Sequence, residues 1–127
     1  AIECGYSSAS ISERIYSRMP DEGDPMAGIL LYTSAPDAEG TLGGLVHLGK
    51  VTELGPILRR ALERAGLCSS DPLCADHLPD AATGALHGAT CHACLLVAET
   101  SCERGNRYLD RSVLTDTFGH TGLEFFR

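Results

Sequence analysis

The chain has 127 residues, enough for one domain that buries roughly two-thirds of the surface its unfolded form would expose. Its apolar runs fall well short of the roughly eighteen residues that a membrane span needs, and its opening residues lack a signal-peptide pattern. Seventeen acidic and ten basic residues give a net charge of −7. This is the wrong sign for a domain whose main function is to bind phosphate groups. We predict one domain over residues 1–127, a C-terminal fragment of a longer cytoplasmic protein that does not bind membranes.

The first predicted elements are a helix and a strand. Within Ser8–Met19, the apolar residues Ile11, Ile15 and Met19 recur at intervals of four, which is the spacing of one helix face. Ile29–Tyr32 is a short, continuous apolar run bounded by turn-forming residues, which predicts a strand buried on both faces.

A glycine-rich turn and the clearest helix come next. The turn, Gly40–Gly44, lacks the Walker spacing and its Lys-Ser/Thr ending, so we predict a tight turn and not a phosphate cradle. The helix covers about Glu53–Ala65, with apolar residues on one face and arginines outside it. Thr52 is the predicted N-cap, and Gly66 the predicted C′ residue.

The residue pattern in the second half of the sequence predicts two further helices and a final strand. One helix starts near Thr90, and a capping box at Thr100–Glu103 opens another that runs through Leu114. Asp110 is predicted to pair with a neighbouring arginine on that last helix. Leu123–Phe126 predicts the strand. The expected fold class is α+β (or α/β), a small sheet with a buried central strand packed by three to four helices. The cysteines add a structural zinc site with four cysteine ligands.

Five of the six cysteines fall between residues 68 and 102. Cys68 and Cys74 form one pair, and Cys91 and Cys94 form a Cys-x-x-Cys pair after a longer loop. Two sulfurs from one tight turn reach the same ion, and two such pairs complete the tetrahedron that zinc prefers, with Zn–S distances of about 2.3 Å. We therefore predict these four as ligands of a structural Zn²⁺. Cys102 is the substitute ligand, because the first turn of a helix favours a thiolate.

Two other uses of the cysteines compete with zinc. Disulfide frameworks are typical of secreted chains, and no secretory signal is seen. A Cys-x-x-Cys pair beside a helix start also suits a thioredoxin-like redox site activated by His92, although a loop precedes it and Cys68 and Cys74 would then have no role. Cys4 is expected to be a small buried hydrophobe. The remaining histidines are expected to be incidental: His47, His77, His87 and His120.

The chain carries no catalytic signature. A Walker motif, a G-x-S-x-G elbow and a paired-carboxylate pattern are all absent from the sequence. We therefore expect no catalytic residues, no enzymatic activity and no small-molecule substrate.

Several segments together resemble a known domain family. They are Leu31–Leu45, Cys68–Cys74, Cys91–Cys94, Glu99–Glu103 and Asn106–Arg111. As a set they are similar to the C-terminal zinc-binding region of the DrmB family, which belongs to the bacterial DISARM anti-phage system. They also resemble the zinc-binding C-terminal domain of MrfA-type DNA-repair helicases. The resemblance covers nearly the whole chain, from about residue 3 to residue 115.

The resemblance implies a structural zinc and a partner. In the helicases the ligands follow a Cys-x-Cys and Cys-x-x-Cys arrangement, so Cys68 and Cys74 would take the first pair and Cys91 and Cys94 the second. The family implies a DrmA-like helicase subunit as partner, with DNA engaged through the complex. The implied function is a non-catalytic zinc-binding accessory domain of a helicase-associated, anti-phage DNA-processing complex. The alternative is a thiol-redox or other cysteine-dependent enzyme that uses the Cys-x-x-Cys pair.

Overall fold

The computed structural model describes residues 1–18, 24, 26–33, 44–98 and 101–126. These residues form a β-hairpin, two α-helices, two 3-10 turns and a long irregular segment that carries the clustered cysteines. The bounds, in chain order, are a 3-10 turn at Ile2–Cys4, β1 at Ile11–Arg18, β2 at Met26–Thr33, α1 at Gly44–Leu48, α2 at Val51–Ala65 and a 3-10 turn at Arg111–Val113. The mixed α+β class is confirmed, but in this part of the chain the helices are fewer than the three to four predicted.

β1 stands where the sequence predicted a helix over Ser8–Met19, so that prediction is wrong. Ile11 and Ile15 are four residues apart, and because four is an even number this spacing also places both on one face of a strand. The isoleucine and tyrosine side chains of β1 favour a strand, and β2 supplies the antiparallel partner, with Ile15 opposite Ile29. Met19 lies outside the described residues.

β2 confirms the strand predicted at Ile29–Tyr32 but contradicts its burial. Every residue of this strand except Thr33 is exposed, and the exposed fraction of Ile29 reaches 71%. Within the described ranges the sheet has two strands, so β2 is an edge strand and not a central one. Of the predicted glycine turn, only Gly44 is described, and it opens α1.

The predicted long helix is confirmed as α2, with different residues at its start. The helix begins at Val51 with Lys50 as N-cap, so the prediction of Thr52 as N-cap is wrong. The Lys50 carbonyl accepts hydrogen bonds from the backbone N–H groups of Glu53 and Leu54, at 2.9 and 2.8 Å. The Leu54 bond is the first regular bond of the helix, and the Glu53 bond satisfies one of the donors that a helix start leaves free.

The end of α2 is set by close packing against the C-terminal part of the chain. Gly66 follows the last helical residue in a right-handed conformation, with φ of −62°, so it does not take the left-handed role predicted. A Cβ atom there would lie 3.2 Å from the carbonyl oxygen of Asp116. Glycine at this position therefore lets the two segments approach each other.

Turns replace the two helices and the strand predicted for the second half. Gly105 and Asn106 both have positive φ, 57° and 61°, which interrupts the last predicted helix and leaves only the 3-10 turn. Its predicted capping residue Thr100 lies outside the described residues. The segment Leu123–Phe126 is not a strand in the structure; the Phe125 N–H donates to the Val113 carbonyl of the second 3-10 turn at 2.9 Å.

The buried centre of the described residues is small, and its apolar members lie around the cysteines. Its apolar members are Ala65, Cys74, Ala75 and Ala89, and its polar members include Arg111. The exposed surface of the chain is 8931 Å². A compact protein of this mass exposes roughly 6500 Å². None of the helices in the described part has the length and apolar character of a membrane span. So small a core is typical of domains that rely on a metal ion for stability.

Candidate metal centre

The first cysteine pair lies on a tight turn that begins just after α2. The Asp71 N–H donates to the Cys68 carbonyl at 3.0 Å, and the Asp71 carboxylate accepts the Cys68 N–H at 3.0 Å. The Cys74 N–H then donates to the Ser70 carbonyl at 3.1 Å. Because Asp71 closes the turn from both sides, it holds Cys68 and Cys74 in one local unit.

The second pair is held by a single turn that starts at Cys91. The backbone N–H groups of Cys94 and Leu95 donate to the Cys91 carbonyl at 3.1 and 3.2 Å. The Cys91 N–H donates to the Cys94 sulfur at 3.2 Å. This geometry leaves the two sulfurs 3.9 Å apart.

The two turns bring four sulfurs together. The Sγ atoms of Cys68, Cys74, Cys91 and Cys94 all lie within 4.8 Å of one another. Across the pairs, Cys68 and Cys91 are 3.5 Å apart, and Cys74 and Cys94 are 3.7 Å apart. A tetrahedron of sulfurs at the usual Zn–S distance has an edge of about 3.8 Å. The donor set therefore fits a Zn²⁺ ion in both chemistry and spacing.

The other sequence candidates lie outside this group. Cys102, the predicted substitute ligand, accepts a hydrogen bond from the Asn106 N–H at 3.2 Å and is not a member of the sulfur cluster. Cys4 is partly buried on the first 3-10 turn, and His92 is exposed. All six cysteines are free thiols, because none of the sulfurs is disulfide-bonded.

Three of the clustered thiols have shifted pKa values. Burial raises the pKa of Cys74, and contacts with the other thiols raise it further. Burial also raises the pKa of Cys68. At Cys91 burial again opposes ionisation, but a hydrogen bond from the Ala93 backbone and the neighbouring thiols outweigh it and lower the pKa to about 7. Of these three thiols Cys91 is the readiest to ionise, and a metal ion would displace the remaining protons.

Comparison with known proteins agrees with this geometry. The family model described as the MrfA Zn-binding domain matches residues 1–95, a range that contains all four clustered cysteines. The chain belongs to the MrfA Zn-binding domain family. It is also similar to the "DISARM protein DrmB" of Bacillus paralicheniformis, with 49% identity over 127 residues, which is all of this chain and 22% of that protein. The chain thus spans about a fifth of that relative's length. The predicted resemblance and zinc as the cofactor are confirmed.

Arg111 connects the end of α2 with the two turns that carry the cysteine pairs of this Zn-binding domain. Its side chain is fully buried, and its guanidinium donates to the carbonyls of Ala65 and Ala89 at 3.2 and 3.1 Å and to the Asp71 carboxylate. Burial opposes its charge, but Asp71 and then Cys74 outweigh burial and raise the pKa of the guanidinium. Arg111 therefore stays positively charged beside the sulfur cluster. Four thiolates around a bound Zn²⁺ ion would carry a net charge of −2, which this cation would partly neutralise.

Asp110 holds the segment that precedes the second cysteine pair. Its carboxylate accepts hydrogen bonds from the Ala89 N–H at 3.2 Å and from the Ser112 N–H at 2.9 Å. In addition, the Gly88 N–H donates to the Leu109 carbonyl at 2.9 Å. The structural role of Asp110 is therefore to hold this segment through its carboxylate. The sequence instead predicts that it pairs with an arginine on a helix. We call Asp110 and Arg111 together the brace.

Asn106 holds the chain on the far side of the second pair. Its side chain accepts the Val97 N–H at 3.2 Å and donates to the Val97 carbonyl at 2.6 Å. Asparagine tolerates the left-handed conformation that this residue adopts better than most residues do. With the brace, Asn106 accounts for the structural role of the Asn106–Arg111 segment, whose hydrogen bonds to distant residues the sequence does not predict.

We expect Gly88→Ala to destabilise the domain by about 1–3 kcal/mol, because overpacking a filled site has a cost of that size. The new methyl group would overlap the Asp110 carboxylate, which is held in place by its own hydrogen bonds. The midpoint of urea unfolding measures the effect. Gly55→Ala is the matched control, since Gly55 lies in α2 with open space around it and should gain stability as alanine. Equal behaviour of the two variants would contradict this role for Gly88.

Proposed function

We propose that this chain is a structural zinc module that serves as a non-catalytic accessory domain in a helicase-associated, anti-phage DNA-processing complex. The observation that carries the proposal is the group of four cysteine sulfurs within 4.8 Å of one another, in a chain of the MrfA Zn-binding family. Residues 1–127 act as one domain in this proposal.

The proposed ligands are Cys68, Cys74, Cys91 and Cys94. A site with four protein ligands is coordinatively complete and leaves no position for a reacting water or substrate, whereas catalytic zinc sites keep one position open. The backbone N–H groups of Ser70 and Cys91 donate to the sulfurs of Cys68 and Cys94, at 3.4 and 3.2 Å. Such outer hydrogen bonds orient the ligands of a metal site. This chemistry supports a role in folding and docking.

Metal content tests the zinc assignment directly. We expect one zinc per chain in protein purified under mild reductant without chelator, measured by elemental mass spectrometry. Absence of metal in folded protein with six free thiols would contradict the proposal. Substoichiometric zinc that rises to one equivalent on titration would support it.

The proposed partner is a DrmA-like helicase subunit, with DNA engaged through the complex. The support is the similarity to a protein described as a DISARM protein, together with the net charge of −7, which favours a protein partner over a DNA duplex. Capture of the helicase subunit by the zinc-loaded full-length protein, compared with a ligand-substituted variant, tests this part. Equal capture of the subunit by both proteins would show that the zinc module is not part of the interface with the helicase subunit.

The alternative, a thiol-redox enzyme using Cys91 and Cys94, has one observation in its favour. A pKa of about 7 at Cys91 matches that of a reactive Cys-x-x-Cys thiol. Zinc binding accounts for the same observation, since hydrogen bonds that favour a thiolate also favour metal ligation. It also gives Cys68 and Cys74 a purpose.

Thiol reactivity separates the two functions. Of six cysteines, the four clustered ones should be protected by zinc, so a thiol-reactive dye should label only Cys4 and Cys102 at first. Adding a chelator should then expose the other four. A Cys4→Ser/Cys102→Ser variant should show no early labelling and serves as the control. Rapid labelling of Cys91 in folded, zinc-loaded protein would favour the redox enzyme.

A further inference from the structure

The two edges of the hairpin differ in what covers them. On the outer edge of β1, the Ile15 N–H donates to the Glu103 carboxylate at 3.2 Å, and the Glu13 carboxylate accepts the Glu103 N–H at 2.6 Å. Arg14 adds an ion pair to Glu103 at 3.0 Å. The loop around Glu103 therefore occupies the outer edge of β1.

The hydrogen bond from the Ile15 N–H also shows which backbone groups of β2 lie on its outer edge. Because the Ile15 N–H points away from β2, Ile15 and Ile29 form a non-hydrogen-bonded pair of the antiparallel ladder. The backbone groups of Ile29 then point away from β1, and so do those of Ala27, Leu31 and Thr33. Across the described ranges, none of these four residues makes a backbone hydrogen bond outside the hairpin.

The side chains of β2 offer no protection for this edge. The strand reads MAGILLYT, with no charged residue and no proline, and its isoleucine and leucines are about half exposed or more. Proteins protect exposed edge strands with charges, prolines or bulges, or cover them with other chain segments. Since the first three devices are missing from β2, the remaining solution is a covering segment.

The length of a relative indicates where a covering segment would come from. The relative at 49% identity is more than four times as long as this chain, which spans 22% of it. A longer polypeptide of that kind holds a covering segment at high effective concentration. A second copy is less suitable, because each chain carries a net charge of −7 and the two would repel each other.

We propose that the outer edge of β2 pairs with an extended, uncharged, apolar strand supplied by the part of the longer polypeptide that lies outside these 127 residues. The hairpin thereby becomes part of a larger sheet, and the zinc module is joined to the rest of its protein by main-chain hydrogen bonds. This docking surface is independent of the proposed zinc and helicase functions.

Hydrogen exchange in the full-length protein tests the proposal, with β2 carrying its own internal standard. The amides of Leu30 and Tyr32 point to β1, whereas those of Ile29 and Leu31 point to the proposed strand. We expect exchange at Ile29 and Leu31 to be slowed by more than about a hundredfold relative to an unstructured peptide, as for amides in a stable sheet. Unprotected amides at Ile29 and Leu31, beside protected ones at Leu30 and Tyr32, would overturn the proposal.

A charge on β2 provides the second measurement. Leu31→Lys should speed exchange at Ile29 by more than about tenfold, because a buried ammonium opposes docking of an apolar strand. Leu78→Lys is the control, since Leu78 is an exposed loop residue, and should leave that exchange rate unchanged. An equal effect of the two variants would overturn the proposal. Protection that disappears on dilution, together with a dimer-to-monomer change in mass, would overturn it in favour of a second copy.

Discussion

The Cys94→Ser variant is expected to lose its zinc and to unfold the irregular segment between residues 68 and 102. A serine hydroxyl is a poor replacement for a thiolate, so three ligands would remain around an ion that prefers four. Zinc binding supplies on the order of 10 kcal/mol to comparable small domains, which exceeds the whole stability of many of them. With so few buried apolar side chains near the site, no hydrophobic core compensates for the loss. Zinc content and circular dichroism of the purified variant measure both effects.

Cys102→Ser is the matched control for this experiment. Cys102 undergoes the same chemical change, but its sulfur lies outside the cluster and accepts only the Asn106 N–H. We expect this variant to keep one zinc per chain and most of its stability. A folded, zinc-replete Cys94→Ser protein, paired with a metal-poor Cys102→Ser protein, would instead make Cys102 the fourth ligand.

Arg111→Met is expected to destabilise the zinc-loaded domain by about 3–5 kcal/mol, the usual cost of removing one member of a buried ion pair. Methionine approximates the volume of the arginine stem but leaves the Ala65 and Ala89 carbonyls and the Asp71 carboxylate without their donor. Asp71 also accepts the Cys68 N–H, so its displacement would disturb the first cysteine pair. Denaturant unfolding of the zinc-loaded protein measures the change.

Two further measurements distinguish this role of Arg111 from simple packing. Arg107→Met makes the same substitution at an exposed position, so its stability should stay within about 0.5 kcal/mol of the parent. Because Arg111 partly neutralises the zinc-thiolate charge, Arg111→Met should also release zinc faster to a competing chelator at a denaturant concentration where it remains folded. An unchanged release rate would leave Arg111 with a packing role alone.

The cysteine cluster could be predicted from sequence because its chemistry is local. A Cys-x-x-Cys pair places two sulfurs on one turn whatever the rest of the chain does, and only the meeting of the two pairs needs the fold. Helix α2 was predictable for a similar reason, since its apolar face repeats with a helical period over many residues. Its first residues were less so, because Lys50 caps it through its backbone carbonyl and not through a side chain.

The predictions that were wrong depended on distant partners. Ile11 and Ile15 suit a helix or a strand equally, and pairing with β2 decides between them. An apolar run predicts that β2 is buried, but burial requires a covering segment, and the described residues leave this strand exposed. Arg111 and Asp71 are separated by 40 positions, so no periodicity links them in the sequence. A buried arginine is read as a surface residue until its acceptors are known.

The order of the zinc ligands and the brace along the chain has a consequence for synthesis. All four clustered cysteines precede Arg111, so the complete set of thiols leaves the ribosome before the buried cation does. At ordinary translation rates this interval lasts about one to three seconds. We therefore expect zinc to be captured by the growing chain first, with Arg111 closing over the finished site afterwards. The metal, and not the ion pair, would then set the path by which this domain folds on the ribosome.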